Sequence, residues 1–97
     1  MSGMNKAEAK KILAQELIQL QAKSYDDLQM LIKSPEVFEV AGGSGVSYQI
    51  EVQAFWDNPR GGSGDLRIIA SIDDGRFLSA LLPLSADFIM DSDGKVI

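Results

Sequence analysis

The chain has 97 residues and a net charge of −5, with 45% hydrophobic and 24% charged residues, which predicts one domain, 1–97, with residues 1–5 as a flexible tail. Its acidic balance argues against nucleic acid, which is held by basic surface, and suits a basic protein partner. Cysteine and histidine are both absent, which excludes disulfides, thiolate zinc sites, thiol catalysis and histidine-assisted nucleophiles.

Asn5, Lys6, Ala7 and Glu8 read as an N-cap with its capping-box glutamate, opening a helix that runs to about Lys23. Ala9, Ile12, Leu13, Leu17 and Leu20 fall on one arc of that helix, an amphipathic stripe able to cover a sheet. Glu16 lies inside the same arc. It is read either as a glutamate whose head reaches water or as a half-buried acid bonded to Arg67, Arg76 or Tyr48, with a raised pKa. Ser24 and Asp27 form a second capping box, opening a short helix through Lys33 with Tyr25, Leu28, Leu31 and Ile32 on one face. Ser34-Pro35 ends it, because the residue before proline disfavours helix.

Glu36 to Ala41 reads as a short strand, and Gly42-Gly43-Ser44-Gly45 turns the chain into a long one. That glycine loop is not read as a phosphate loop, since no lysine follows and no helix N-terminus is predicted there. Val46, Tyr48, Ile50, Val52, Ala54 and Trp56 alternate with Ser47, Gln49, Glu51 and Gln53, the pattern of a half-buried strand, with Phe55 as the exception. Leu66, Ile68, Ala70 and Ile72 repeat it in the partner strand. The connection 57–65 carries Pro59 and three glycines and is expected to be the most mobile segment. Its functional reading is a partner-contacting loop, with Trp56 as aromatic anchor, Arg60 at the tip and Asp57 and Asp65 at its ends. The parity of Trp56 points it toward the core.

Asp73-Asp74-Gly75-Arg76 predicts a type I′ turn, which sets a strand over 76–82 against Leu66 to Ile72, with Ile72 facing Phe77 and Ile68 facing Leu81. In that register Ile69, Leu78, Ala80, Leu82 and Phe55 form an apolar patch on the outer face of the sheet. Its expected cover is the short helix, the tail 88–90, a protein partner, or a second copy in a homodimer. Residues 87–90 read as another short strand, and Asp91-Ser92-Asp93-Gly94 as a β-turn. An EF-hand is excluded there because its first ligand position would be Ile89.

Tyr48-Gln49-Ile50-Glu51-Val52 with Phe55-Trp56-Asp57, Gly64-Asp65-Leu66-Arg67 with Ser71-Ile72-Asp73-Asp74-Gly75, and Pro83-Leu84 with Asp87-Phe88-Ile89 and Asp93-Gly94 resemble a family of small uncharacterised bacterial proteins, a domain of unknown function. The resemblance covers roughly the last half of the chain and implies no activity. The order of elements predicts an α+β fold, a long and a short helix packed on an antiparallel meander of about four strands. That architecture is similar to cystatin-like and cone-shaped nuclear-transport-factor-like folds, which host many functions.

Two functions follow as expectations. The first is a small non-catalytic protein-binding or regulatory module, of which an immunity-type protein neutralising a basic toxin is one form. The second is a small ligand-binding protein or carboxylate-based enzyme of cone-like fold, with Glu16, Tyr48 and Asp73 at one end of a helix–sheet cavity. No catalytic set, metal site or cofactor is assigned. No apolar run approaches the ~20 residues of a membrane span, and the first residues lack the apolar core of a signal peptide, so a cytoplasmic location is expected.

Overall fold

A computed structural model describes residues 6–57, 64–74 and 84–97. Helix α1 spans Lys6–Gln21. It stops two residues short of the expected end, where the amides of Ala22 and Lys23 bond back to the carbonyls of Gln19 and Leu20 and tighten the last turn. Helix α2, Tyr25–Gln29, starts as its capping box predicts: the Ser24 hydroxyl accepts from the Asp27 amide at 3.1 Å. A 3₁₀ turn, Met30–Ile32, finishes the segment before Pro35.

Four strands follow: β1 Glu36–Ala41, β2 Ser47–Trp56, β3 Leu66–Asp73 and β4 Leu84–Met90. They form one antiparallel sheet in the order β1-β2-β3-β4. The α+β expectation is met. Tyr48, Ile50, Val52 and Ala54 of β2 point inward with Leu66, Ile68, Ala70 and Ile72 of β3 and with Phe88 and Met90 of β4. Across this face α1 lies over β3 and β4, and the 3₁₀ turn lies over β2. Ala9, Leu13, Leu20, Leu28 and Leu31 close the core from the helical side. Each fully buried leucine or isoleucine contributes about 1.5–3 kcal/mol, and among the described residues no polar or charged residue is buried.

The pairing of β3 corrects the sequence reading. Its two edges are taken by β2 and β4, with Ile68 opposite Ala54 and Phe88, and Ile72 opposite Ile50 and Leu84. The register that set Ile72 against Phe77 and Ile68 against Leu81 is therefore excluded. Leu84, Ala86, Phe88 and Met90 carry the alternation that completes the sheet, so β4 begins three residues before the expected Asp87. Arg76, Leu78, Ala80 and Leu82 lie outside the described residues, as do Asn5 and the loop 58–63 with Arg60.

On the outer face β3 is flanked by Ser85, Asp87 and Ile89 of β4. Of the patch expected there, Phe55 and Ile69 are described; among the described residues Val37 and Ile89 share that face with them, and Arg67 stands between Phe55 and Ile89. The short helix does not cover it, because Leu28 and Leu31 take that segment to the inner face, and residues 88–90 are part of the sheet itself. After β4 the Asp91 carboxylate accepts from the amides of Asp93 and Lys95 at 2.9 and 3.0 Å, a plain turn. Gly94 supplies its positive φ of 86°. The Ile97 amide then bonds the Ile89 carbonyl at 2.8 Å, so the tail pairs with the end of β4.

Candidate functional site

The last residues of β2 extend past β1. Glu36, the first residue of β1, pairs with Val52, which leaves 53–56 with β3 as their one strand neighbour among the described residues. The 3₁₀ turn flanks this projecting end, and α2 is tied in by the Tyr25 hydroxyl, which donates to the Gly64 carbonyl at 2.6 Å. Between them opens a cleft of about 270 Å³ lined by Asp26, Gln29, Met30, Ile32, Lys33 and Trp56. Trp56 is half-buried and packs on the core, as its parity predicts, while presenting the rest of its surface to the cleft. Met30 is 69% exposed beside it. The walls join an aromatic ring to a flexible thioether, a pairing that adapts to varied apolar groups. Asp26 and Lys33 add one charge of each sign.

Asp57 continues from Trp56 onto the opposite face. Its amide bonds the Asp65 carbonyl at 2.9 Å, closing the base of the β2–β3 loop. Its carboxylate accepts from Arg67 Nε at 3.0 Å, and Arg67 Nη1 also pairs with Asp87. Phe55 stands opposite Arg67, which stands opposite Ile89. Trp56 and Asp57 are thus neighbours in sequence that serve different faces. Asp65 contributes its backbone to the loop base, and Ile69 lies half-buried on the outer face between Gln53 and Asp87.

The acidic trio of the enzyme reading is not assembled. Tyr48 points inward and donates its hydroxyl to Glu8 Oε1 at 2.7 Å, while Asp73 follows the inward Ile72 and so lies on the outer face. Glu16 is half-buried, and burial raises its pKa against the opposing charge of Lys23, with Glu36 adding to the rise. It bonds neither to Tyr48, which serves Glu8, nor to Arg67, which serves Asp57 and Asp87 on the far side of the sheet.

Glu8 is instead the carboxylate with a built environment. Ser44 donates to it twice, from its amide to Oε2 at 2.9 Å and from its hydroxyl to Oε1 at 2.5 Å. These bonds, with that of Tyr48, hold its pKa below the ordinary carboxylate value. The 42–45 loop thus receives an anion, and the anion is the chain's own side chain. At Gly42 an added Cβ would sit 2.5 Å from Glu8 Oε1 and 2.8 Å from the Tyr48 ring, so a larger residue there would have to displace the clasp.

Sequence reasoning singled out Trp56 but not the other residues that line its cleft. The available signal was Met30, an apolar residue off the buried stripe of Tyr25, Leu28, Leu31 and Ile32. Among the described residues no group of acidic side chains is placed to hold a metal ion, and no helix is long and apolar enough to cross a membrane. Compared with models of known families, with curated proteins and with solved structures, the chain matches none.

Proposed function

We propose that the chain is a small non-catalytic protein-binding module that seats a side chain of its partner in the Trp56 cleft. The observation that carries this reading is an exposed Met30 and a half-buried Trp56 lining one open cleft of about 270 Å³. That volume falls just below the ~300–1,000 Å³ of pockets that enclose small molecules, and suits one inserted side chain. Aromatic residues and methionine are enriched at protein interfaces, and tryptophan is among the residues that most often carry the binding energy. The net charge of −5 favours a basic partner, of which a toxin neutralised by an immunity-type protein is one form. Support for carboxylate catalysis is weaker, because Glu16, Tyr48 and Asp73 do not converge.

Photo-crosslinking tests the reading. A photoreactive residue at position 30 should give a discrete protein adduct in cell extract. The same residue at Gln15, on the exposed side of α1, should not, and Trp56→Ala should abolish the adduct. Equal labelling from both positions, or labelling indifferent to Trp56→Ala, sinks the proposal. Trp56 is the chain's one tryptophan, so its fluorescence then reports binding of the purified partner directly.

A further inference from the structure

We propose that the edge of β1 away from β2 receives an extended, lysine- or arginine-bearing segment of a partner protein as a fifth strand of the sheet. This rests on the protein-binding reading and names the chemistry of the partner, but it uses a surface separate from the cleft.

The hydrogen-bond phase of the β1–β2 pair identifies the free groups. The Gly42 amide bonds the Val46 carbonyl at 2.8 Å. Antiparallel pairs alternate between bonded and non-bonded, so Val40 with Tyr48, Phe38 with Ile50 and Glu36 with Val52 exchange bonds. The amides and carbonyls of Val37, Glu39 and Ala41 therefore point away from β2. Among the described residues no strand pairs with that edge, whereas the end of β4 is met by the chain's own tail. Three outward amide–carbonyl sets at alternate residues form the template on which extended peptides add to sheets.

The side chains specify what kind of strand fits. Glu36 and Glu39 are exposed on β1, and Glu51 stands opposite Val37 on β2. Lys33 is the nearest cation in the chain before β1. Phe38 and Val40, half-buried on the inner face, offer apolar contact to alternate residues of an added strand. A second copy fits poorly. The antiparallel register that engages all three free sets places Glu39 opposite Glu39, and like charges directly opposite are destabilising. A basic segment meets the same carboxylates as cross-strand partners, so charge selects the occupant.

Amide exchange followed by NMR tests this with a defined probe, an acetylated heptapeptide of alternating lysine and valine. At peptide concentrations about ten times its Kd, exchange at Val37, Glu39 and Ala41 should slow roughly tenfold. Glu36, Phe38 and Val40, already bonded to β2, should change little. A glutamate–valine peptide should have no effect on native protein, and Glu39→Lys should shift the preference toward it. Unaltered exchange at millimolar lysine peptide overturns the proposal, as does equal slowing by both peptides. Slowing that depends on protein concentration without peptide would mean a second copy occupies the edge, and would also overturn it. Trp56→Ala should leave the slowing intact. If it abolishes the effect, the peptide lies in the cleft and the edge assignment is wrong. If the edge responds while position 30 yields no adduct, the cleft reading fails alone.

Discussion

Glu8 and Glu16 lie about two turns apart on one helix, and the fold moves their pKa values in opposite directions. The hydrogen bonds of Ser44, then of Tyr48, lower that of Glu8 from its ordinary 4.5, so the folded chain releases this proton more readily than the unfolded chain. Its stabilising contribution is present above pH 4.5 and is lost as the pH falls through the lower folded value. Glu8→Gln should therefore lower Tm at pH 7, and the gap from native protein should close in acid. Burial raises the pKa of Glu16 above 4.5, so its ionisation opposes folding as the pH rises through the folded value. Glu16→Gln should raise Tm at pH 7, with the gain vanishing below pH 4.5. Thermal melts of both variants from pH 3 to 8 check the two signs together. A Glu8→Gln gap that persists unchanged at pH 3 would mean the clasp acts through shape and not charge.

Along α1 the buried and exposed apolar residues make a direct comparison. Leu20 is fully buried against the sheet, and Ile18 is 66% exposed. Leu20→Ala should cost about 2–5 kcal/mol, the range for a core leucine, whereas Ile18→Ala should stay within about 0.5 kcal/mol. Urea unfolding measures both. The helices, β1, β2 and β3 were legible because each carries its own periodicity and its own boundary signal: Ser24 opening α2, Pro35 after the 3₁₀ turn, and the glycines of 42–45. The partner of β3 was not legible. Asp74-Gly75 is a strong local turn signal, and it argued for the nearest apolar run as the next strand. Ten residues separate the end of β3 from the start of β4; by chain length alone, bringing strands that far apart together costs only roughly 1.4 kcal/mol more closure entropy than a separation of two, and the alternation of Leu84, Ala86, Phe88 and Met90 outweighs that difference. The Glu8 clasp was illegible for a related reason. Its partner Ser44 is 36 residues away, and the glutamate's local pattern pointed only to its own helix end. The cleft needed both the projecting end of β2 and the placement of the 3₁₀ turn, which no single segment encodes.

Among the described residues the fold has one face closed by helices and one left open, and its two functional proposals use neither face squarely. One lies at the projecting end of β2 and the other along the edge of β1 away from β2. Because the surface is acidic overall, both engagements should weaken with added salt, within the ~10 Å screening length at 0.1 M. The sheet order has a further consequence, for the route by which the chain folds. Each strand neighbours its successor in the chain, so the hairpins β1–β2 and β2–β3 close short loops. The contacts of α1 with β4 join opposite ends of the chain and must wait for most of it to be ordered. Loop closure has to be met before such distant contacts stabilise anything, which places the hairpins early on the route and the docking of α1 late. Val52→Ala, in the central hairpin pair, should then chiefly slow refolding, while Leu13→Ala, on the docking face of α1, should chiefly speed unfolding. In stopped-flow chevrons the first variant should shift the folding limb and the second the unfolding limb. The reverse assignment would mean that the helix holds the strands together from the beginning.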